Sequence, residues 1–220
     1  AISHSLQSIE KFIRKKQILP YLKYRPKIFL LGNYHKNNRS YLLRIFGSEI
    51  IGWSADNIFI NTDLKDVEPD KAIFTSYPDR NLDLLIYIWS NYIFKKNNKL
   101  KLHIKPNNTV NTKFNIFNRN FGTQKELIND LVNSKVFLIP GHKAELFCIA
   151  AEEAKELCIP TVTLGIGSLS ERVIHNKTGF VAKNEKEFSN YTLELFSNNL
   201  MWDEIRKNLI SLRNQNNWKV

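Results

Sequence analysis

Cysteine is scarce in this chain, with two in 220 residues, Cys148 and Cys158. Ten positions apart on one expected helix and its end, they are too distant to bridge. They read as reduced core residues, which fits a cytoplasmic protein. Long apolar runs are missing as well. No segment approaches the roughly 20 apolar residues of a membrane span. Residues 2–16 are polar and charged, without the apolar stretch of a signal peptide. No Asp-x-Asp pair could hold Mg²⁺ on a diphosphate, and no His/Cys/Glu cluster suits zinc. Neither a Gly-x-Ser-x-Gly elbow nor a Walker loop occurs. Any chemistry is therefore expected to be metal-independent.

Acidic residues are also in deficit, 21 against 32 lysines and arginines, giving a net charge of +11 and a pI near 9.6. Such a balance can serve nucleic acid, an anionic membrane face or anionic substrates. The lysines are scattered (Lys15, Lys16, Lys95, Lys96, Lys99, Lys101, Lys183, Lys186) and form no stripe interleaved with stacking aromatics. A solvated surface is the first reading, weak attraction to an anionic membrane the second, and nucleic-acid binding the third.

What the chain does have is enough apolar material for a packed core, 43% hydrophobic with 12% aromatic. The length suits one large domain, or one domain plus a fragment. From residue 71 onward strands and helices alternate. Strands are expected at 72–76, 100–105, 114–117, 136–140, 160–164 and 179–182. Helices are expected at 81–96, 123–134, 147–157, 168–175, 186–196 and 201–212. Capping boxes open two of them, Thr123 with Glu126 and Ser168 with Glu171. This alternation implies an α/β fold, a Rossmann-like parallel sheet with helices on both faces. Ligands of such sheets bind outside the carboxyl ends of the strands.

The first part is different. A helix at 5–16, a strand at 27–31 and short apolar pieces at 41–46, 50–53 and 58–61 are too little for a second α/β domain, which needs roughly 100 residues. The expected division is a partial N-terminal segment or connector over 1–65 and a Rossmann-like domain over 66–220.

The stretch 141–160, GHKAELFCIAAEEAKELCIP, is the most informative. A buried strand, a short loop and a small-residue helix make an anion site, because the first free N–H groups of the helix point off the strand's end. Two glutamates, Glu145 and Glu153, stand there with seven residues between them. A ligand with a central pyrophosphate and hydroxyls at both ends, such as a nucleotide sugar, suits that geometry.

Residues 141–179 resemble the retaining glycosyltransferases of family 4, which have the GT-B fold of two Rossmann-like domains facing across a cleft. The donor-site signature of that family, Glu-Gly-Phe-Gly-Leu, three residues, then Glu-Ala, is matched by Glu145-Leu146-Phe147-Cys148-Ile149, residues 150–152, and Glu153-Ala154. Its Gly-Gly-x-x-Glu element is matched by Gly167-Ser168-Leu169-Ser170-Glu171. Its Gly-x-Thr-Gly-Phe turn is matched by Asn176-Lys177-Thr178-Gly179-Phe180. Residues 76–83, SYPDRNLD, look like its phosphate loop. The resemblance covers roughly residues 61–212, the nucleotide-sugar half. The chain departs from it at both glycines flanking Phe147, now Leu146 and Cys148, a bulkier pair that narrows the site. The phosphate loop lacks its first glycine, and Ser76 or Tyr77 stands at its usual arginine position. Most of the acceptor domain is absent, as expected of an excised domain or a shortened protein.

The resemblance implies a retaining transfer from a nucleoside diphosphate sugar, itself the donor substrate with no further cofactor, to a hydroxyl acceptor. A glycolipid or surface polysaccharide such as lipopolysaccharide is the implied acceptor. The setting is cytoplasmic, peripheral to the inner membrane face, with no nucleic-acid partner. Arg80 and Lys143 would grip the diphosphate, Arg80 as a guanidinium before a helix at a strand end. Glu145 would contact the donor sugar, and Arg80 and Glu145 are the candidate catalytic pair. Glu153 would hold the ribose diol, Leu146, Phe147 and Cys148 would offer backbone N–H groups, and Ser76 and Ile149 would complete the donor site. On a helical wheel Glu153 lies on the flank while Glu152 and Glu156 point to solvent. Glu171 reads as a capping residue, His103 as structural, His142 as a loop histidine. Leu127 and residues 118–122 would border the base by fold analogy. The competing reading is a degenerate, non-catalytic module that binds nucleotide or a partner protein.

Overall fold

The computed structural model describes residues 8–105, 112–119, 122–213 and 215. Expected features at 5–7, 120–121 and 218–220 lie outside them. The N-terminal segment holds α1 (Ile9–Arg14), α2 (Ile18–Tyr24), β1 (Ile28–Leu30), α3 (Asn33–Asn37), β2 (Ser48–Ile50) and α4 (Asn57–Ile60). The Ser8 hydroxyl opens α1 by accepting from Lys11 N–H at 3.3 Å. β1 and β2 are parallel and pair with each other, Ile28 with Ser48 and Leu30 with Ile50. Phe12, Ile28, Leu30, Leu43 and Phe46 form their small separate core.

The larger unit runs β3 (Glu68–Phe74), α5 (Leu82–Ile88), β4 (Lys101–Ile104), β5 (Ile116–Asn118), α6 (Gln124–Val132), β6 (Ser134–Leu138), α7 (Ile149–Glu156), β7 (Thr161–Thr163), α8 (Leu169–Arg172), β8 (Gly179–Val181), α9 (Glu185–Ser197) and α10 (Asn199–Leu212). Its six strands are all parallel, in the order β5-β4-β3-β6-β7-β8. Helix α6 packs on β6 and α7 on β7, while α9 packs on β6, β7 and α5. Strands β3 and β6 are buried through their centres, as a sheet covered on both sides requires. Fully buried Trp89 sits in a π-helical extension of α5 and donates from its indole N–H to the Phe114 carbonyl at 2.8 Å.

Strand order reverses at the β3–β6 pair. The chain leaves β3 toward β4 on one side and leaves β6 toward β7 on the other. Loops diverge there and open a crevice at the carboxyl ends. The last helix closes the unit against its beginning. Arg213 donates to the Ile60 carbonyl at 2.6 Å, and Arg206 to the Lys65 carbonyl at 2.9 Å.

Several expectations change in detail. The helix expected at 147–157 begins at Ile149, because Cys148 takes a left-handed conformation, φ 57°. The box of Thr123 and Glu126 is present on α6, the Thr123 hydroxyl accepting from Glu126 N–H and the Glu126 carboxylate from Thr123 N–H. The box of Ser168 and Glu171 is not. Ser168 is helical at φ −77°, its side chain caps nothing, and α8 spans four residues. Glu152 and Glu156 do not face solvent: they are 2% and 1% exposed. α7 packs against α4, α8 and α10 as well as the sheet, so little of its circumference remains for water. Lys155 compensates both carboxylates.

Candidate functional site at the switch point of the sheet

Two loops meet above the β3–β6 pair. In the first, Arg80 N–H donates to the Tyr77 carbonyl at 2.9 Å, turning the chain after β3. Asn81 follows in a left-handed conformation (φ 64°), and its side-chain amide donates to the Gly141 carbonyl in the second loop. That tie sets Arg80 against Glu145, Nε to Oε2 at 3.3 Å, with Asp79 at 3.5 Å from the guanidinium's other side.

The second loop, between β6 and α7, runs in backbone contact with the loop after β7. Gly141 has φ +100°, and a Cβ there would lie 2.5 Å from the Ile166 carbonyl oxygen. Gly167, φ +77°, would put a Cβ 2.3 Å from the His142 carbonyl oxygen. Neither position can hold a side chain without moving backbone. Ser168 N–H donates to the Glu145 carbonyl at 3.0 Å. His142 accepts from Ala144 N–H at its Nδ1, 3.1 Å, so this histidine shapes the loop.

Glu145 is mostly buried. Burial raises its pKa above the ordinary carboxylate value, and Arg80 pulls it back. Its carboxylate also accepts from the N–H of Cys148. Of the backbone donors expected to face a ligand, that one is therefore engaged by the protein. Leu146 and Phe147 are buried against Leu31 and Tyr34. Cys148 is buried too, and desolvation pushes its thiol pKa well up. Ile149, the first residue of α7, is 40% exposed. The Lys143 side chain is exposed, while its carbonyl accepts from the Tyr34 hydroxyl at 2.7 Å. Ser76 is half-buried at the start of the first loop.

Glu153 lies one helical turn into α7. It helps line a cavity of about 200 Å³ with Thr75, Lys105, Arg119, Gly122, Thr123, Gln124 and Leu127. Burial alone pushes its pKa up to about 7, and it forms no ion pair among the described residues. Leu127, Arg119 and Gly122 border this cavity, the place expected for a base. Sequence reasoning missed Thr75, Lys105 and Gln124. The hydroxyl of Thr75 is buried and finds no partner among the described residues. Lys105 stands 3.5 Å over the Tyr77 ring, and Arg119 pairs with Asp130 at 2.8 Å. For Thr75 and Lys105 the signal was positional, since each directly follows a strand, β3 or β4, as Arg119 follows β5. His103 packs on Phe117 in the sheet, half-buried with its pKa lowered by burial and then by Lys71, a structural residue.

Glu171 has a different duty from the one expected. Its carboxylate accepts from the N–H of Asn33, at 3.0 Å, and of Tyr34, capping α3 across the molecule.

A parallel α/β sheet with its charged loops at the strand-order reversal is the layout of a ligand-binding α/β domain, and it is the fold of one half of the GT-B glycosyltransferases. The model of the glycosyl transferases group 1 matches residues 95–212, more than half of the chain, and the chain belongs to that family. No curated protein sequence matches. The chain is similar to TarM of S. aureus, solved with fondaparinux, alpha-GlcNAc-glycerol and UDP (20% identity, TM-score 0.69, 90% of this chain and 43% of that one). It is similar to Alr3699/HepE of Anabaena, solved with UDP and glucose (12% identity, TM-score 0.72, 96% and 65%). A third similar structure is the C-terminal domain of a group 1 glycosyl transferase (LpcC) of Francisella tularensis (14% identity, TM-score 0.53, 67% and 85%). The chain thus spans less than two thirds of the TarM and HepE chains.

Proposed function

We propose that residues 66–220 form the nucleotide-sugar-binding half of a retaining glycosyltransferase, and that residues 1–65 are an acceptor-side segment or connector. One observation carries this reading. Arg80 and Glu145 meet at the switch point of the sheet, and Glu153, which forms no ion pair among the described residues, lines a cavity at the same carboxyl end of the strands. A nucleoside diphosphate fits this layout with its base toward Leu127 and its ribose diol on Glu153, a carboxylate being able to accept from both hydroxyls. Its diphosphate would lie toward Arg80 and Lys143, and its sugar against Glu145 and the backbone of residues 146, 147 and 149, with Ser76 at the phosphate end. UDP is the first candidate, since the TarM and HepE structures hold it.

In the reaction the sugar's bond to the diphosphate oxygen would break as the acceptor hydroxyl attacks from the same side, its proton passing to the departing diphosphate oxygen. The departing negative charge would be stabilised by Arg80, Lys143 and backbone N–H groups, without a metal ion. A glycan or glycolipid hydroxyl is the acceptor we infer, in surface-glycan synthesis such as that of lipopolysaccharide. Its cytoplasmic, membrane-peripheral setting is supported by the basic, partly apolar N-terminal segment. No helix among the described residues is long and apolar enough to cross a membrane.

A melting-point panel with UDP, GDP, ADP and their sugars tests this, because a ligand of the native state raises the melting temperature by mass action. UDP or a UDP-sugar should raise it, and a flat panel contradicts the reading. A second reading, a non-catalytic nucleotide-binding module, is favoured by the engagement of Glu145 with both Arg80 and Cys148 N–H. Nucleotide binding with neither donor hydrolysis nor transfer would decide for it.

A further inference from the structure

The donor loop of residues 143–148 is gripped from two directions. From the N-terminal segment, the Tyr34 hydroxyl donates to the Lys143 carbonyl at 2.7 Å, Leu31 and Tyr34 pack on Leu146 and Phe147, and the Trp53 ring meets the Phe147 ring edge-on at 5.9 Å. From α8, the Arg172 guanidinium lies 4.4 Å from the centroid of the same Phe147 ring. Arg172 is in turn held by Glu152 at 3.7 Å and by Glu171 at 3.8 Å. Glu171 accepts from the N–H groups of Asn33 and Tyr34, which closes the circuit back to the N-terminal segment.

This arrangement is a poor device for stability. Glu152 is 2% exposed, on a helix whose neighbours Ala150, Ala151 and Ala154 are apolar. Replacing a buried ion pair by apolar side chains of like volume is often neutral or stabilising, whereas its geometry is specific. A planar guanidinium can stack on an aromatic face while its edge meets carboxylates, which a lysine does less well.

We propose that Arg172 is a positioning residue for the donor loop. With Glu171 and Glu152 it fastens Phe147 and the amides of Asn33 and Tyr34 into one clasp, so that the loop carrying Lys143 and Glu145 and the N-terminal segment move as one body. The clasp itself is independent of any ligand. The consequence for donor binding rests on the nucleotide-sugar reading above.

The test is amide hydrogen exchange on the whole chain, with and without UDP, for the wild type, Arg172→Ala, Arg172→Lys and the milder Tyr34→Phe. Exchange of residues 143–148 and 33–37 should rise together by about tenfold or more in Arg172→Ala, while β6 and β7 stay protected. Arg172→Lys should fall between that variant and the wild type. Tyr34→Phe, which removes only the hydroxyl, should loosen residues 143–148 to a smaller degree. Calorimetry should show UDP binding weakened by about tenfold in Arg172→Ala, with UDP slowing exchange at residues 33–37 in the wild type. Loosening of one segment without the other, or a uniform rise over the whole sheet, overturns the clasp. Should Arg172→Ala not fold, unchanged exchange in both Tyr34→Phe and Arg172→Lys overturns it equally. Undiminished UDP affinity in a folded Arg172→Ala overturns the positioning role. Failure of the wild type to bind UDP sinks the nucleotide reading and the positioning role with it, while the exchange pattern still decides the clasp.

Discussion

Glu153 is a carboxyl held near neutrality by burial, with a pKa of about 7 against an unfolded value of 4.5. The native state therefore binds the proton more tightly than the unfolded chain. Its contribution to stability is most favourable below the unfolded pKa and is lost as pH rises through about 7. Ligand affinity runs the opposite way, because a ribose diol donates best to the ionised form. Between pH 8 and pH 6 the ionised fraction falls about tenfold, and UDP affinity should fall by a similar factor. Glu153→Gln removes that titration, and calorimetry on both proteins should leave only the slope that the phosphate itself contributes. Arg80 differs in kind. Its side chain is 29% exposed and meets Glu145 at 3.3 Å, and its removal leaves the mostly buried Glu145 carboxylate without that cation, so stability at neutral pH should fall. A charge-assisted contact to diphosphate is worth roughly 1.5–3 kcal/mol, and Arg80→Ala should lose about ten- to a hundredfold in UDP affinity. With Arg80 gone, the Glu145 pKa should climb further, since that cation is the main influence lowering it; carboxyl NMR titration would read it.

Elements carry the next level of the account, and α7 is the decisive one. Its first turn is preceded by Cys148 at φ 57°, a conformation that costs an L-residue about 1–2 kcal/mol. Burial of the small side chain offsets part of that, at about 0.8 kcal/mol per methylene-sized group. Cys148→Gly should therefore stay within about 1 kcal/mol of the wild type in urea unfolding. Cys148→Val, β-branched at a positive φ, should lose about 2 kcal/mol or more.

Alternation of apolar strands and amphipathic helices made the six parallel strands legible from residue 71 onward, because a sheet covered on both faces leaves an unmistakable apolar signature. Thr123 and Glu126 were legible for the same local reason, as a cap is written within four residues. Ser168 and Glu171 have the same spelling, yet Glu171 is drawn away by the N–H groups of Asn33 and Tyr34, 138 and 137 positions distant. No local pattern encodes that. The wheel failed at Glu152 and Glu156 because α7 is enclosed on several sides and pays for its acids with Lys155 and Arg172. In the candidate site, the motif spacing pointed to Glu145 and Glu153. Thr75, Lys105 and Gln124 belong to no motif and come together only when strands β3 and β4 and helix α6 align.

At the scale of the whole molecule the charge is unevenly placed. Ten basic and two acidic residues fall between 8 and 53, so most of the net +11 resides in about a fifth of the chain. The same segment exposes Leu19, Leu22, Tyr24, Tyr41, Leu42 and Ile45, with Leu22, Arg25 and Ile45 lining one groove. A segment that is both basic and rich in exposed apolar side chains supports the proposed membrane-peripheral setting. Vesicles rich in phosphatidylglycerol should sediment the chain at low salt, zwitterionic vesicles should not, and 0.5 M NaCl, where the screening length falls to about 4 Å, should release much of it.

The nucleotide itself gives the most direct measurement, a crystal structure of the chain with UDP. The diphosphate should lie within hydrogen-bond distance of the Arg80 guanidinium, with both ribose hydroxyls on the Glu153 carboxylate and the uracil in the cavity beside Leu127. UDP seated elsewhere, or seated there with Glu153 making no contact to the ribose, would contradict the account.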